Sequence, residues 1–355
     1  MKQTLEETLA QIVPQDTEWR RKAHTRLEQL TMPHWALGRL MDLAEDLAGM
    51  TRSMNPAVAR RTVVTMAGDH GVVAEGVSKF PQAVTPQMVH NFVNGGAGIN
   101  ALAGVARARV VVVDMGVAAD LSGLARAGKI IDKRVGPGTR NMAQGPAMTR
   151  EEAIRALVGG IEVARELAAS TDLFGTGDLG IGNSTPSAAI AAVLTGESLD
   201  VLTGRGTGID DAQLRHKREV IARAIEVNRP RKEDGLDVLA KVGGFEIGGI
   251  AGLILGAAAA RKPVLVDGFI STAGALIAAS LCPTAREYMI AAHRSEEPGH
   301  RAMLKHLGRT PLLDLNLRLG EGTGAAVAMG LVDASVAVLT RVATFEEASV
   351  SKANA

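Results

Sequence analysis

The sequence predicts an α/β fold, a doubly wound, mostly parallel sheet of Rossmann-like type, and three observations predict it. Short runs rich in Val, Ile and Leu recur and end in Gly, Asp or His. Helical patterns lie between those runs, and glycines cluster after them instead of spreading as in a linker. Near-continuous apolar strands suit a parallel sheet covered on both faces. Strand followed by helix, repeated, suits double winding, with ligands beyond the carboxyl ends of the strands.

Taken in order, the first fifty residues read as helix only, through LEETLAQIV, DTEWRRKAHTRLEQLT and LGRLMDLAEDLAGM. Strands are predicted at 62–71, 108–117, 129–138, 172–180, 200–208, 262–269 and 288–295. Between them the 3.6-residue period predicts helices at 150–170, 211–228 and 295–307, and GAAVAMGLVDASVAVLTRVATFEEAS reads as one last long helix. The terminal helices lack strands of their own, so they group as a smaller helical domain, 1–60 plus 325–355, or as an oligomer surface. Residues 61–324 then form the large α/β catalytic domain.

Composition narrows the partners. The 355 residues are 46% hydrophobic, enough for a sizeable core, and the formal net charge is +1 with no long run of one sign. That excludes nucleic acid and an anionic membrane as electrostatic partners and leaves small molecules. The single cysteine, Cys282, lies in an apolar stretch and reads as a buried structural thiol. No disulfide within the chain is possible and no signal-type segment opens it, so the reading is a soluble cytoplasmic protein.

Four segments carry chemistry. FGTGDLGIGNSTP holds Gly175, Thr176, Gly177 and Gly180, with Asn183, Ser184 and Thr185 able to cap a following helix whose amides favour an anion. Its G-x-G-x-x-G spacing matches a dinucleotide fingerprint, but it lies mid-chain without the acidic residue that should close the next strand. AGDHG puts Asp69 and His70 at a strand end; no ligand-spaced partners accompany them, so no metal is assigned and a hydrogen-bonded pair is the simpler reading. LTGRGTGIDD, with Arg205, Asp210, Asp211 and then Lys217, reads equally as a phosphate site and as a turn with a capped helix. RLGEGTGAA places Glu321 between Gly320 and Gly322, with Thr323 and Gly324 following. The carboxylate is either a cap in the field of a helix N-terminus or an accessible base, and glycines on both sides give it that access.

AGDHGV, VGPGTRNMAQGPAMT, FGTGDLGIGNSTP, KVGGFEIGGIAG, VLVDGFISTAGAL and RLGEGTGAA together closely resemble the nicotinate-nucleotide:dimethylbenzimidazole phosphoribosyltransferases, in order from about Leu37 to Met329. The resemblance implies a homodimeric, cofactor-free, metal-independent α/β enzyme of cobamide lower-ligand assembly. It implies transfer of ribose phosphate from nicotinate mononucleotide to a benzimidazole-type base, with Glu321 as the base that removes the ring proton. Gly175 to Gly180 and the glycines around Glu321, with Ser295 and Lys217, would hold the phosphoribosyl group.

The base pocket departs from the family. Where better-known members have a small polar residue, a glutamine and a glutamate, this chain has Phe80, Met88 and Asp178, and Leu179 and Leu319 complete an apolar slot. Stacking on Phe80 and the adaptable thioether of Met88 predict that another benzimidazole, a phenolic or a purine can replace dimethylbenzimidazole. A catalytically silent nucleotide-binding relative that partners an active copy is the competing reading.

Overall fold

The computed structural model describes residues 1–206 and 208–351. The chain opens with α1 (Lys2–Gln11), α2 (Thr17–Leu27), started by the Asp16 carboxylate on the Glu18 and Trp19 amides, and α3 (Arg39–Thr51). Then come β1 (Arg61–Gly68), α4 (Val84–Val93), α5 (Gly98–Val105), β2 (Ala108–Gly116), α6 (Ser122–Arg126) and β3 (Ile131–Asp132). Thr149 and Glu152 cap each other's amides at the start of α7 (Arg150–Ala168), which leads to β4 (Leu173–Leu179), α8 (Ser184–Thr195) and α9 (Leu199–Leu202). The Asp210 carboxylate caps α10 (Asp211–Asn228), and that of Asp234 caps α11 (Gly235–Val242). The remainder is α12 (Phe245–Ala259), β5 (Val264–Val266), α13 (Phe269–Leu281), β6 (Met289–Ala291), α14 (His300–Leu307) and α15 (Thr323–Arg341).

The six strands form one parallel sheet in the order β3-β2-β1-β4-β5-β6. The order reverses between β1 and β4, which opens a crevice above their carboxyl ends. On one face α12 lies against α7 at backbone distance. A Cβ on Gly160 would stand 1.9 Å from the Gly249 carbonyl oxygen, and one on Gly252 the same distance from that of Leu157. Part of the glycine excess therefore serves a helix crossing and not only strand-end turns. On the other face α5 packs on β2, and α15 packs on β4 and β5. By length and hydropathy α15 could cross a membrane, but here it is a core helix, with Ala325, Ala326, Ala328, Met329 and Val332 buried.

A second apolar cluster joins Ala23 and Leu27 of α2, Met41, Ala44 and Ala48 of α3, and Val338 and Leu339 of α15. Although it belongs to the N-terminal run, α1 packs on α7 and α12, and Leu5 and Ile12 join the main core.

Several expected elements differ. The stretch at 200–208 is not a strand: α9 ends at Leu202 and irregular chain follows, while Thr207 lies outside the described residues. A short apolar run such as DVL does not distinguish strand from helical turn by period alone. The strand expected at 129–138 shrinks to two residues. The helix expected from 295 starts only at His300, because Pro298 and Gly299 precede it. The last helix stops at Arg341, and Thr344 then bridges to Leu30 instead of continuing it. Cys282 is partly exposed at the end of α13, not buried.

Candidate active site

A cleft of about 390 Å³ opens beyond β4, β5 and β6. Its lining includes Phe80, Asp178, Gly180, Ser184, Arg205, Lys217, His293, Ser295, Glu297, Arg318, Leu319 and Gly320. Parallel strands that end together point their terminal residues at one place, which is how residues as far apart in the chain as Phe80 and Gly320 come to share a surface.

The cationic part rests on Lys217, which α10 delivers. It is fully buried, and its ammonium donates to Ser184 Oγ at 2.8 Å and to the Gly204 carbonyl at 3.4 Å. Burial pulls its pKa down to about 8, against the opposing charge of Glu297. An arriving dianion would favour the charged form. Arg205 also lines the cleft, with its guanidinium on the Asp211 carboxylate and the Ile209 carbonyl. Ser295 presents its hydroxyl beside them and is held by its amide on His300 Nδ1 at 2.8 Å. Because Nδ1 accepts, His300 is the neutral tautomer that donates from Nε2 to Thr272, and burial lowers its pKa to about 3.

The acidic part gathers four carboxylates, Asp178, Glu246, Asp267 and Glu321. Asp178, the penultimate residue of β4, accepts from Asn183 Nδ2 at 3.0 Å through Oδ2, while its buried Oδ1 has no partner among the described residues. Burial, with Asp267 and Glu246 nearby, pushes its pKa well above the usual carboxylate range. Glu321 sits in the left-handed region at φ 63°, strained for a non-glycine residue. Its Oε2 accepts the Ile99 amide in the first turn of α5 at 3.0 Å, and Oε1 makes no hydrogen bond among the described residues. Burial and then Asp267 raise its pKa, while the Ile99 amide opposes them. Raising its pKa makes this carboxylate a stronger base, and Oε1 is the oxygen left to accept a proton.

The other glycines do different work. Gly175, Thr176 and Gly177 lie inside β4 and not at a strand–helix turn. A Cβ on Gly175 would meet Ala325 and Val63, and one on Gly177 would stand 2.3 Å from the Glu321 carbonyl oxygen. Gly177 is therefore bare because the Glu321 loop rests on it. Gly180 and Gly320 do line the cleft. The N–H groups of Gly322 and Ala325, at the start of α15, already donate to the Asp267 carboxylate, and Thr323 turns its hydroxyl back to the Gly320 carbonyl. Gly324 lets the His293 ring pass, since a Cβ there would lie 2.0 Å from it.

Phe80 and Leu319 stand in the lining with 49% and 60% of their surface exposed, apolar area free to take a flat ring. Leu179 and Met88 are partly buried outside that lining, and Met88 Sδ faces Asn91. Asp69 and His70 do not pair with each other. Asp69 accepts the Ala118 amide, and His70 meets Glu246 at 2.8 Å, 176 residues away, which outweighs burial and keeps the imidazole pKa raised. Glu246, Asp267, His293 and Glu297 join the site without a motif of their own that singles them out. For Asp267 a signal existed, an acid followed by Gly at the end of the run VLV.

A phosphoribosyltransferase family model matches residues 12–350. The chain is 63% identical over 348 residues to the nicotinate-nucleotide–dimethylbenzimidazole phosphoribosyltransferase of Syntrophotalea carbinolica, covering 98% of this chain and 99% of that one. To the protein of the same name from Desulfotalea psychrophila it is 61% identical, covering 98% of each chain. The crystal structure of a likewise named enzyme from Thermus thermophilus superposes with a TM-score of 0.89 at 46% identity, covering 95% of this chain and all of that one.

Proposed function

Because the chain belongs to the nicotinate-nucleotide:dimethylbenzimidazole phosphoribosyltransferase family, we propose that it moves ribose phosphate from nicotinate mononucleotide to 5,6-dimethylbenzimidazole or a related base, with Glu321 as proton acceptor. The product is α-ribazole 5′-phosphate or its analogue, with release of nicotinate, a step of cobamide lower-ligand assembly. The observation that carries this reading is the convergence of a buried ammonium, Lys217, and the loop bearing a raised carboxylate, Glu321, on one cleft with an apolar face.

The chemistry follows from the parts. Nicotinate departs with the electron pair of its bond to C1′, which neutralises its ring nitrogen, so no general acid is needed. One nitrogen of the incoming base bonds to C1′ from the opposite face, which inverts β to α. The proton on the base's other nitrogen passes to Glu321 Oε1, and this relieves the cation formed. Such proton transfer contributes on the order of a hundredfold or more. The negative charge also favours the developing ribosyl cation. Lys217, Ser184 and Ser295 are assigned to the phosphate, Phe80 and Leu319 to the ring of the base, and Asp178, which also lines the cleft, to a hydrogen bond with substrate. Gly180 and Gly320 allow the ligand to lie close to the backbone.

The second apolar cluster supports a small helical domain, and exposed Leu37, Leu315 and Val327 are surface that a second copy would cover in a homodimer. The lone thiol, Cys282, suits a reducing cytoplasm.

Incubation with nicotinate mononucleotide and equal amounts of dimethylbenzimidazole, a phenol and a purine tests both halves of the reading. Nicotinate should appear and the riboside phosphate formed should be α-linked, with more than one base used. No nicotinate with any base would overturn the function, and strict preference for dimethylbenzimidazole would overturn the widened pocket.

A further inference from the structure

We propose that Asp267 is the positioning residue of this site, the group whose carboxylate holds the Glu321 loop, next to the cleft-lining Gly320, in its left-handed backbone geometry. The proposal rests on Glu321 being the proton acceptor. Asp267 follows directly on β5 and is fully buried. Its Oδ2 accepts the Gly322 amide at 3.2 Å and its Oδ1 the Ala325 amide at 2.9 Å, so both oxygens are used on the first turn of α15. Its own amide donates to Thr176 Oγ1 at 3.1 Å, which ties it to β4. From the other side the Thr65 hydroxyl of β1 donates to the Glu321 carbonyl at 3.0 Å.

Glu321 is thus gripped at its carbonyl by β1, at the following amide by β5 and at its carboxylate by α5. Three fixed points are what a residue in the left-handed region needs to stay there. An acceptor for two amides in different directions requires two oxygens, and an amide side chain at Asp267 supplies one. The titratable groups facing Glu321 are Asp267 and Asp178; Thr65 and the Ile99 amide do not titrate. His293 Nε2 lies 3.6 Å from Asp267 Oδ1 and faces the same carboxylate. Burial pushes Asp267 up, and His293 with the helix amides pulls it back. The charge of Asp267 in turn helps to raise Glu321.

The test is nicotinate release by the full-length protein across pH, for wild type, Asp267→Asn, Thr176→Val and Glu321→Gln. For Asp267→Asn, kcat should fall about tenfold or more while both KM values stay within about threefold, since orientation and not binding is lost. The acid limb of its profile should move to lower pH, because the charge that raises Glu321 is gone. Thr176→Val should lower kcat less and leave the limb in place. Wild-type kcat with an unmoved limb in Asp267→Asn, or a loss confined to KM, would overturn the proposal while leaving Glu321 as the base. If Asp267→Asn does not fold, undiminished kcat in Thr176→Val overturns it. If Glu321→Gln is fully active, the base assignment itself has failed and takes this proposal with it.

Discussion

The sharpest perturbation of this site adds one methyl group to its floor. In Gly177→Ala the new β-carbon would stand 2.3 Å from the Glu321 carbonyl oxygen, 2.7 Å from its carbonyl carbon and 2.9 Å from the Gly322 nitrogen. All three are backbone atoms, so no side chain can swing aside. Ordinary contact begins near 3.4 Å, and the loop must therefore retreat by about 1.1 Å. The bonds from the Gly322 amide to Asp267, 3.2 Å, and from the Ile99 amide to Glu321, 3.0 Å, do not survive such a shift unchanged. Misplacing a reacting group by about 1 Å costs on the order of a hundredfold in rate. Overpacking costs about 1–3 kcal/mol of stability. The assay is nicotinate release, with KM for nicotinate mononucleotide measured beside kcat and a thermal melt beside both. We expect kcat down about a hundredfold, KM within about threefold and a melt lowered by a few degrees. Activity within about threefold of wild type, at an unchanged melting temperature, would refute the claim that Gly177 is bare to seat the Glu321 loop.

Two further outcomes follow from the same geometry. Lys217 in the unliganded protein is charged below about 8, so KM for nicotinate mononucleotide should rise as pH climbs through that value; a flat KM between about pH 7 and 9 would remove Lys217 from phosphate binding. Sedimentation at micromolar concentration should give a species of twice 37.0 kDa, and a lone 37.0 kDa species would contradict the homodimer.

The strands that end at the site were readable because a buried parallel strand needs a continuous apolar run and a polar stop, as in TVVTMAGDHG and KPVLVDGF. The bounds of α10 were readable as well, since Asp210 caps the helix and its polar face repeats for five turns. Pairings across the fold were not. Nothing near His70 in the chain names Glu246 as its partner, and nothing near Gly322 names Asp267, because both pairs are set by which strands become neighbours. The reason several glycines are glycines was not legible either. Their spacing points to a ligand, but at Gly175, Gly177 and Gly324 the space a Cβ would need is taken by Ala325, the Glu321 backbone and the His293 ring. A sequence shows where a side chain is missing, but only the packed structure shows what fills the space.

The role of Glu321 is tested most directly by Glu321→Gln, which keeps the size and the bond to the Ile99 amide but cannot hold a proton-accepting charge. With saturating nicotinate mononucleotide and dimethylbenzimidazole, kcat should fall by about a hundredfold or more and the acid limb of the pH profile should be lost. Wild-type turnover with the limb intact would contradict it, and would leave Glu321 as no more than the cap of α5.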